Sequence, residues 1–102
     1  LELCLTGREV TAGEAMALGI VNLVVKPEEL EEETGKLARR LAEGPPLAMK
    51  KTKQLLRAYY QNTPEAQARL ERETQIQMGK SKDYAEGLRA FFEKRKPEFT
   101  GE

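Results

Sequence analysis

The most specific arrangement of side chains lies near the end of the chain, at Gly87, Phe91 and Lys94, with Ala90 beside them. At about 100° per residue on an α-helix, these positions fall along one flank. Phe91 offers a flat apolar ring and Lys94 a mobile ammonium, a pair suited to a ligand that carries an aromatic ring and a phosphate. Gly87 costs a helix interior roughly 1 kcal/mol relative to Ala, which predicts that something approaches the backbone closely. The plainer reading is a helix that packs both of its Phe residues and solvates its lysines, since apolar helical stripes mostly belong to cores. On spacing alone both readings stand.

Elsewhere, side chains equipped for chemistry are scarce. The 102 residues contain no His, so the commonest general base and metal ligand is missing. Cys4 is the single cysteine; without a His it makes no Cys–His nucleophile, and it fits a reducing compartment without disulfides. No phosphate-cradling glycine loop occurs. Glu28, Glu29, Glu31, Glu32 and Glu33 form an acidic run, but neighbouring carboxylates diverge around a helix axis and here sit at its positive end. They read as a solvated first turn. Lys50, Lys53 and Arg57 form a basic stripe, which reads as a solvated face in a chain whose 17 basic and 17 acidic residues cancel. That balance argues against nucleic acid or an anionic membrane as the main partner. No catalytic residue and no metal-ligand set is assigned. No apolar run approaches the ~20 residues needed to cross a bilayer, no signal peptide is visible, and the expected compartment is the cytoplasm.

The elements that must position Phe91 and Lys94 follow from pattern and punctuation. Asp83 to Phe99 predicts one helix, with Tyr84, Leu88, Phe91, Phe92 and Arg95 on its apolar face. Asp83 is its expected cap, Glu86 completes a capping box, Lys94 to Lys96 oppose the dipole in the last turn, and Pro97 stops it. Upstream, Thr11 and Glu14 predict a capping box that opens a short helix, ended by Gly19 at C′. Ile20 to Val25 is β-branched and short, the one expected strand; its expected partner is residues 5–10 or else a sheet supplied by the rest of a longer protein. Pro27 at N1 predicts a helix buried along Leu30, Thr34, Leu37, Ala38 and Leu41 and closed by Gly44. A helix from Pro46 to Gln61 should bury Ala48, Met49, Thr52, Leu55, Leu56 and Tyr59. Thr63-Pro64 opens a further, polar helix to about Met78, whose weak pattern is Ala66, Leu70 and Met78 joined by Thr74 and Gln77, with Gln67 and Gln75 nearby. The length and 39% hydrophobic content allow one modest core. Opening on Leu1 inside an apolar run, the chain is expected to be the C-terminal piece of a longer protein.

Three stretches carry a family resemblance. LTGREVTAGEAMALGIVNLVV (residues 5–25), Pro45-Pro46 followed by Thr52-Lys53-Gln54-Leu55-Leu56, and DYAEGLRAFFEKRKPEF (residues 83–99) together resemble the C-terminal part of the crotonase (enoyl-CoA hydratase/isomerase) superfamily. The resemblance runs through essentially all of the chain in order, with small departures at Ile20 and Lys82. It implies a mostly α fold, the orthogonal or antiparallel helical C-terminal layer of the crotonase fold with one short strand. Residues 1–25 would be the end of the crotonase core and residues 26–102 a helical oligomerisation domain.

The resemblance further implies an enzyme that hydrates 2-enoyl-CoA thioesters, with coenzyme A as part of the substrate, no tightly bound cofactor, and a homo-oligomer, trimer or hexamer. The amides that hold the thioester oxyanion and the acid/base glutamates would lie upstream, leaving this part inactive alone. Phe91 and Lys94 match the Phe and Lys that the family's last helix brings to the adenine and phosphate end of coenzyme A in a neighbouring subunit. Alternatives are an enoyl-CoA isomerase, another acyl-CoA crotonase, or a non-catalytic helical oligomerisation module.

Overall fold

The computed structural model describes residues 1–102 and contains six α-helices, one 3-10 turn and no strand. The mostly α expectation holds. The chain divides into two compact units, Leu1–Leu37 and Ala38–Glu102.

In the first unit, α1 (Glu2–Thr6) ends on Gly7, whose φ of 63° is reached without strain by a residue lacking Cβ. Helix α2 (Ala12–Ala17) starts where the Thr11 hydroxyl accepts a hydrogen bond from the Glu14 amide at 3.2 Å. The predicted box is half formed, because the Glu14 carboxylate turns to Arg8, accepting from its Nη2 at 2.7 Å. Arg8 also donates from Nε to Glu2 at 2.9 Å, tying the ends of α1 and α2 together. Gly19, at φ 69°, closes α2 as predicted. Its amide donates to the Met16 carbonyl and that of Ile20 to the Ala15 carbonyl, the paired bonds of a Schellman turn.

Ile20 to Val25 forms no strand. Residues 2–6 are helical and residues 7–10 offer no ladder, so the β-branched run has no neighbour with which to pair its backbone. A 3-10 turn at Pro27–Glu29 leads into α3 (Leu30–Ala42), and the Glu29 carboxylate accepts from the Lys26 amide at 3.3 Å. The predicted buried face of α3 is not buried: Leu30, Leu37 and Leu41 are all exposed. They have the spacing of a packing stripe and nothing within the chain to cover it. Gly44 lies at the end of the helix, its amide donating to the Leu41 carbonyl at 3.2 Å.

In the second unit, α4 (Pro46–Tyr59) and α5 (Pro64–Met78) pack on one another as an antiparallel hairpin. Thr63 caps α5 as predicted, its hydroxyl accepting from the Ala66 amide at 3.2 Å. The inward stripe of α5 runs through Ala66, Gln67, Leu70, Thr74 and Met78. Gln67 is buried and fully engaged: its amide group donates to the Leu55 carbonyl and the Glu71 carboxylate and accepts from Asn62. The half-buried side of α4 is Leu47, Ala48, Met49, Lys51, Leu55 and Ala58, which keeps Ala48, Met49 and Leu55 of the predicted face, whereas Thr52, Leu56 and Tyr59 stay exposed. The polar α5 covers one side of the apolar stripe and leaves Leu56 and Tyr59 bare. Helix α6 (Lys82–Glu93) completes the unit, and its Ala90, 1% exposed, is the only fully buried apolar residue.

Candidate functional site

The candidate site is the C-terminal end of α6, and both ends of that helix differ from the predicted plan. Ser81 is the N-cap: its hydroxyl accepts from the Tyr84 amide at 3.1 Å and donates to the Met78 carbonyl at 2.7 Å. Asp83, the predicted cap, lies within the first turn, 5% exposed. Its carboxylate accepts from the backbone amides of Thr100 at 2.7 Å and Gly101 at 3.0 Å. The Asp83 amide donates to the Glu102 carbonyl at 3.0 Å, and Lys82 pairs with the Glu102 carboxylate. The tail that follows the helix therefore turns back and is clipped to the helix start.

Glu86 does not return to the cap either. Its carboxylate takes both terminal nitrogens of Arg95, at 2.6 and 3.0 Å, and the Glu98 amide at 3.0 Å. The Arg95 guanidinium, then the Glu98 amide, hold the Glu86 carboxyl down at about 2. The same contact, together with Glu93, raises Arg95 further above its ordinary value.

The helix stops at Glu93, short of the predicted end, because Lys94 adopts the left-handed conformation, φ 54° and ψ 39°. Its amide donates to the Phe91 carbonyl at 3.3 Å and that of Arg95 to the Ala90 carbonyl at 3.0 Å, the second Schellman turn in the chain. Lys94 and Phe91 thus do not share a helical flank. Phe91 lies on the last turn and Lys94 on the reversal after it. Arg95 and Lys96 leave the helix too, Arg95 for Glu86 and Lys96 for Glu43 at 2.7 Å.

Phe91 is 77% exposed, its ring edge-on to that of Phe92 at 5.7 Å between centroids. The predicted packing of both rings is not made within the chain. The Lys94 ammonium is exposed and bears no ion pair or hydrogen bond, whereas Lys82, Arg89, Arg95 and Lys96 each reach a carboxylate. Gly87, one helical turn before Phe91, lines an apolar cleft of about 280 Å³ with Leu47, Met78, Tyr84, Leu88 and Phe99. A Cβ built on Gly87 would meet a Phe99 ring carbon at 3.7 Å, an ordinary contact. What approaches Gly87 is the chain's own tail.

Helical spacing alone does not announce the tail clip or the Glu86–Arg95 pair. The signal lay in Ser81 three residues before Tyr84, a second cap candidate that frees Asp83 and Glu86 for other partners.

A model of the enoyl-CoA hydratase/isomerase family matches residues 1–102. Among curated relatives, the 1,2-epoxyphenylacetyl-CoA isomerase of Escherichia coli K12 is 39% identical over 97% of this chain and 38% of its own length. The methylmalonyl-CoA decarboxylase of the same organism is 42% identical over 98% of this chain and 39% of its own. Among solved structures, an enoyl-CoA hydratase from Mycobacterium tuberculosis H37Rv superposes with a TM-score of 0.89 at 31% identity, covering 99% of this chain and 40% of that one. The chain spans about two fifths of the length of the proteins it matches.

Proposed function

Because the chain belongs to the enoyl-CoA hydratase/isomerase family, we propose that it is the helical C-terminal layer of an acyl-CoA enzyme, and that the parent hydrates 2-enoyl-CoA thioesters. In that reading water adds across the double bond conjugated to the thioester, and amide donors outside these residues hold the oxygen that gains charge. Residues 1–102 supply no acid, base or oxyanion donor and turn over no substrate alone. Their part is to bind the nucleotide end of the thioester and to hold subunits together, residues 26–102 forming the oligomerisation domain and residues 1–25 closing the core.

One observation carries this reading. Lys94 is the only residue other than glycine with positive φ. It keeps its ammonium unpaired in the open, three residues after an exposed aromatic ring. A left-handed residue with a side chain is costlier than glycine, and glycine takes that place at the ends of α1 and α2. The lysine side chain is therefore needed for its chemistry, and a phosphate is the natural counter-charge, with an adenine on Phe91. The names of the two curated relatives share coenzyme A and differ in reaction. This supports a shared role in holding coenzyme A over a role in any one reaction.

Lys94→Ala in the full-length enzyme should cost about 1–2 kcal/mol of binding, a roughly 5- to 30-fold rise in KM for a CoA thioester. With a pantetheine thioester, which lacks the nucleotide, KM should hold, and kcat should hold on both substrates. Equal losses on the two thioesters would assign Lys94 to folding or assembly and remove it from the site.

The exposed stripe Leu30, Leu37 and Leu41 and the exposed Leu56 and Tyr59 suit subunit contacts in a homo-oligomer, a trimer or hexamer. A full-length protein that sediments as a monomer would exclude that assignment.

A further inference from the structure

The reversal that carries Lys94 is held from every side except its own. Arg95 Nη1 and Nη2 grip Glu86, Arg95 Nε donates to the Glu93 carboxylate at 2.6 Å, and Arg95 Nη1 also donates to the Lys96 carbonyl at 3.1 Å. Glu86 in turn takes the Glu98 amide. Residues 93, 95, 96 and 98 are thus all tied to one carboxylate–guanidinium pair, and residue 94 between them is left out of it. The Glu86 side chain is 14% exposed, so the pair is shielded on the carboxylate side and geometrically matched, two parallel N–H···O bonds from a planar fork.

A left-handed residue with a side chain persists only where its surroundings over-determine it. From this juxtaposition we propose that Glu86 and Arg95 are positioning residues for Lys94: their bidentate pair locks the reversal after α6 so that the ammonium is presented to a phosphate group in a fixed place. The inference rests on the reading of Lys94 given above. Without the pair the reversal keeps its two backbone bonds, the longer of them 3.3 Å, and the exposed contacts of Arg95 with Glu93 and of Lys96 with Glu43. Lys94 could then return to helical geometry or fray, and the phosphate would have to order it on binding.

The test is a double-mutant cycle in the full-length enzyme. Arg95→Met and Glu86→Gln are each expected to raise KM for a CoA thioester about fivefold, leaving kcat and the KM of the pantetheine thioester unchanged. In a Lys94→Ala background neither should raise KM further, because the pair acts only through Lys94. Arg95→Lys, which keeps the charge but not the fork, should recover less than half of the loss.

The outcomes separate the two ideas. If Lys94→Ala spares the nucleotide end, the reading of Lys94 fails. If Lys94→Ala shows the nucleotide effect and neither clamp variant does, or their effects add fully to it, this inference fails and the reading of Lys94 survives. Should Arg95→Met not fold, the near-isosteric Glu86→Gln decides on the same two substrates.

Discussion

Lys94 takes a backbone conformation that glycine adopts at lower cost, and this sets the first prediction. Lys94→Gly should stabilise the fold by about 0.5–1 kcal/mol, the left-handed penalty less the extra freedom of glycine when unfolded. A thermal melt of the full-length protein checks it, and a lowered midpoint would mean that the lysine side chain itself supports the turn. A second prediction concerns Glu86, whose carboxyl is depressed from its ordinary 4.5 to about 2. A group whose folded pKa is depressed contributes stability above its unfolded pKa and loses it as pH falls through the folded one. Stability should therefore drop between pH 4.5 and about 2, and Glu86→Gln should flatten that limb of a pH–melting curve. An unchanged limb would show that the Arg95 contact does not persist in solution. At this scale the sequence was half legible. Helical spacing puts Phe91 and Lys94 on one flank, which the left-handed Lys94 does not keep, and a lysine at that position carries no pattern that announces a helix end. Pro97 predicts a later stop, whereas the hydrogen bonds of Lys94 and Arg95 end the helix at Glu93.

At the scale of elements, α6 depends on the tail clipped to its first turn. Asp83→Ala would strip the Thr100 and Gly101 amides of their carboxylate, at a cost of about 1–3 kcal/mol. Those two amides should then exchange with solvent fastest among the bonds of this unit. Protection equal to wild type would mean that the tail is held by Glu86 and Phe99 instead. Gly87→Ala should be stabilising by up to about 1 kcal/mol, since its Cβ meets Phe99 at an ordinary 3.7 Å; a destabilised variant would show that the cleft has no room for a methyl. Caps were the most legible elements: Thr11, Gly19 and Thr63 act where their side chains or backbone freedom predict. Burial was the least, because periodicity identifies a stripe and not its partner. On α3 and α4 the stripes are present, and Leu37, Leu41, Leu56 and Tyr59 on them stay exposed.

For the whole molecule, one fully buried apolar side chain is too small a core to hold so many exposed ones in a lone, stable monomer. The same shortfall explains Ile20 to Val25, a strand by composition that has no sheet to join. The 102-residue chain by itself should self-associate at micromolar concentration, and sedimentation as a single well-folded monomer would count against the account of its exposed faces. The central claim is that this layer binds the nucleotide end of coenzyme A and leaves the chemistry to other residues. Titration calorimetry of free coenzyme A into the full-length protein tests it most directly, since no turnover enters the measurement. Wild type should bind, and Lys94→Ala should bind about 5- to 30-fold more weakly; the affinity of free pantetheine should be the same for both. Equal affinity of the two proteins for coenzyme A would contradict the claim.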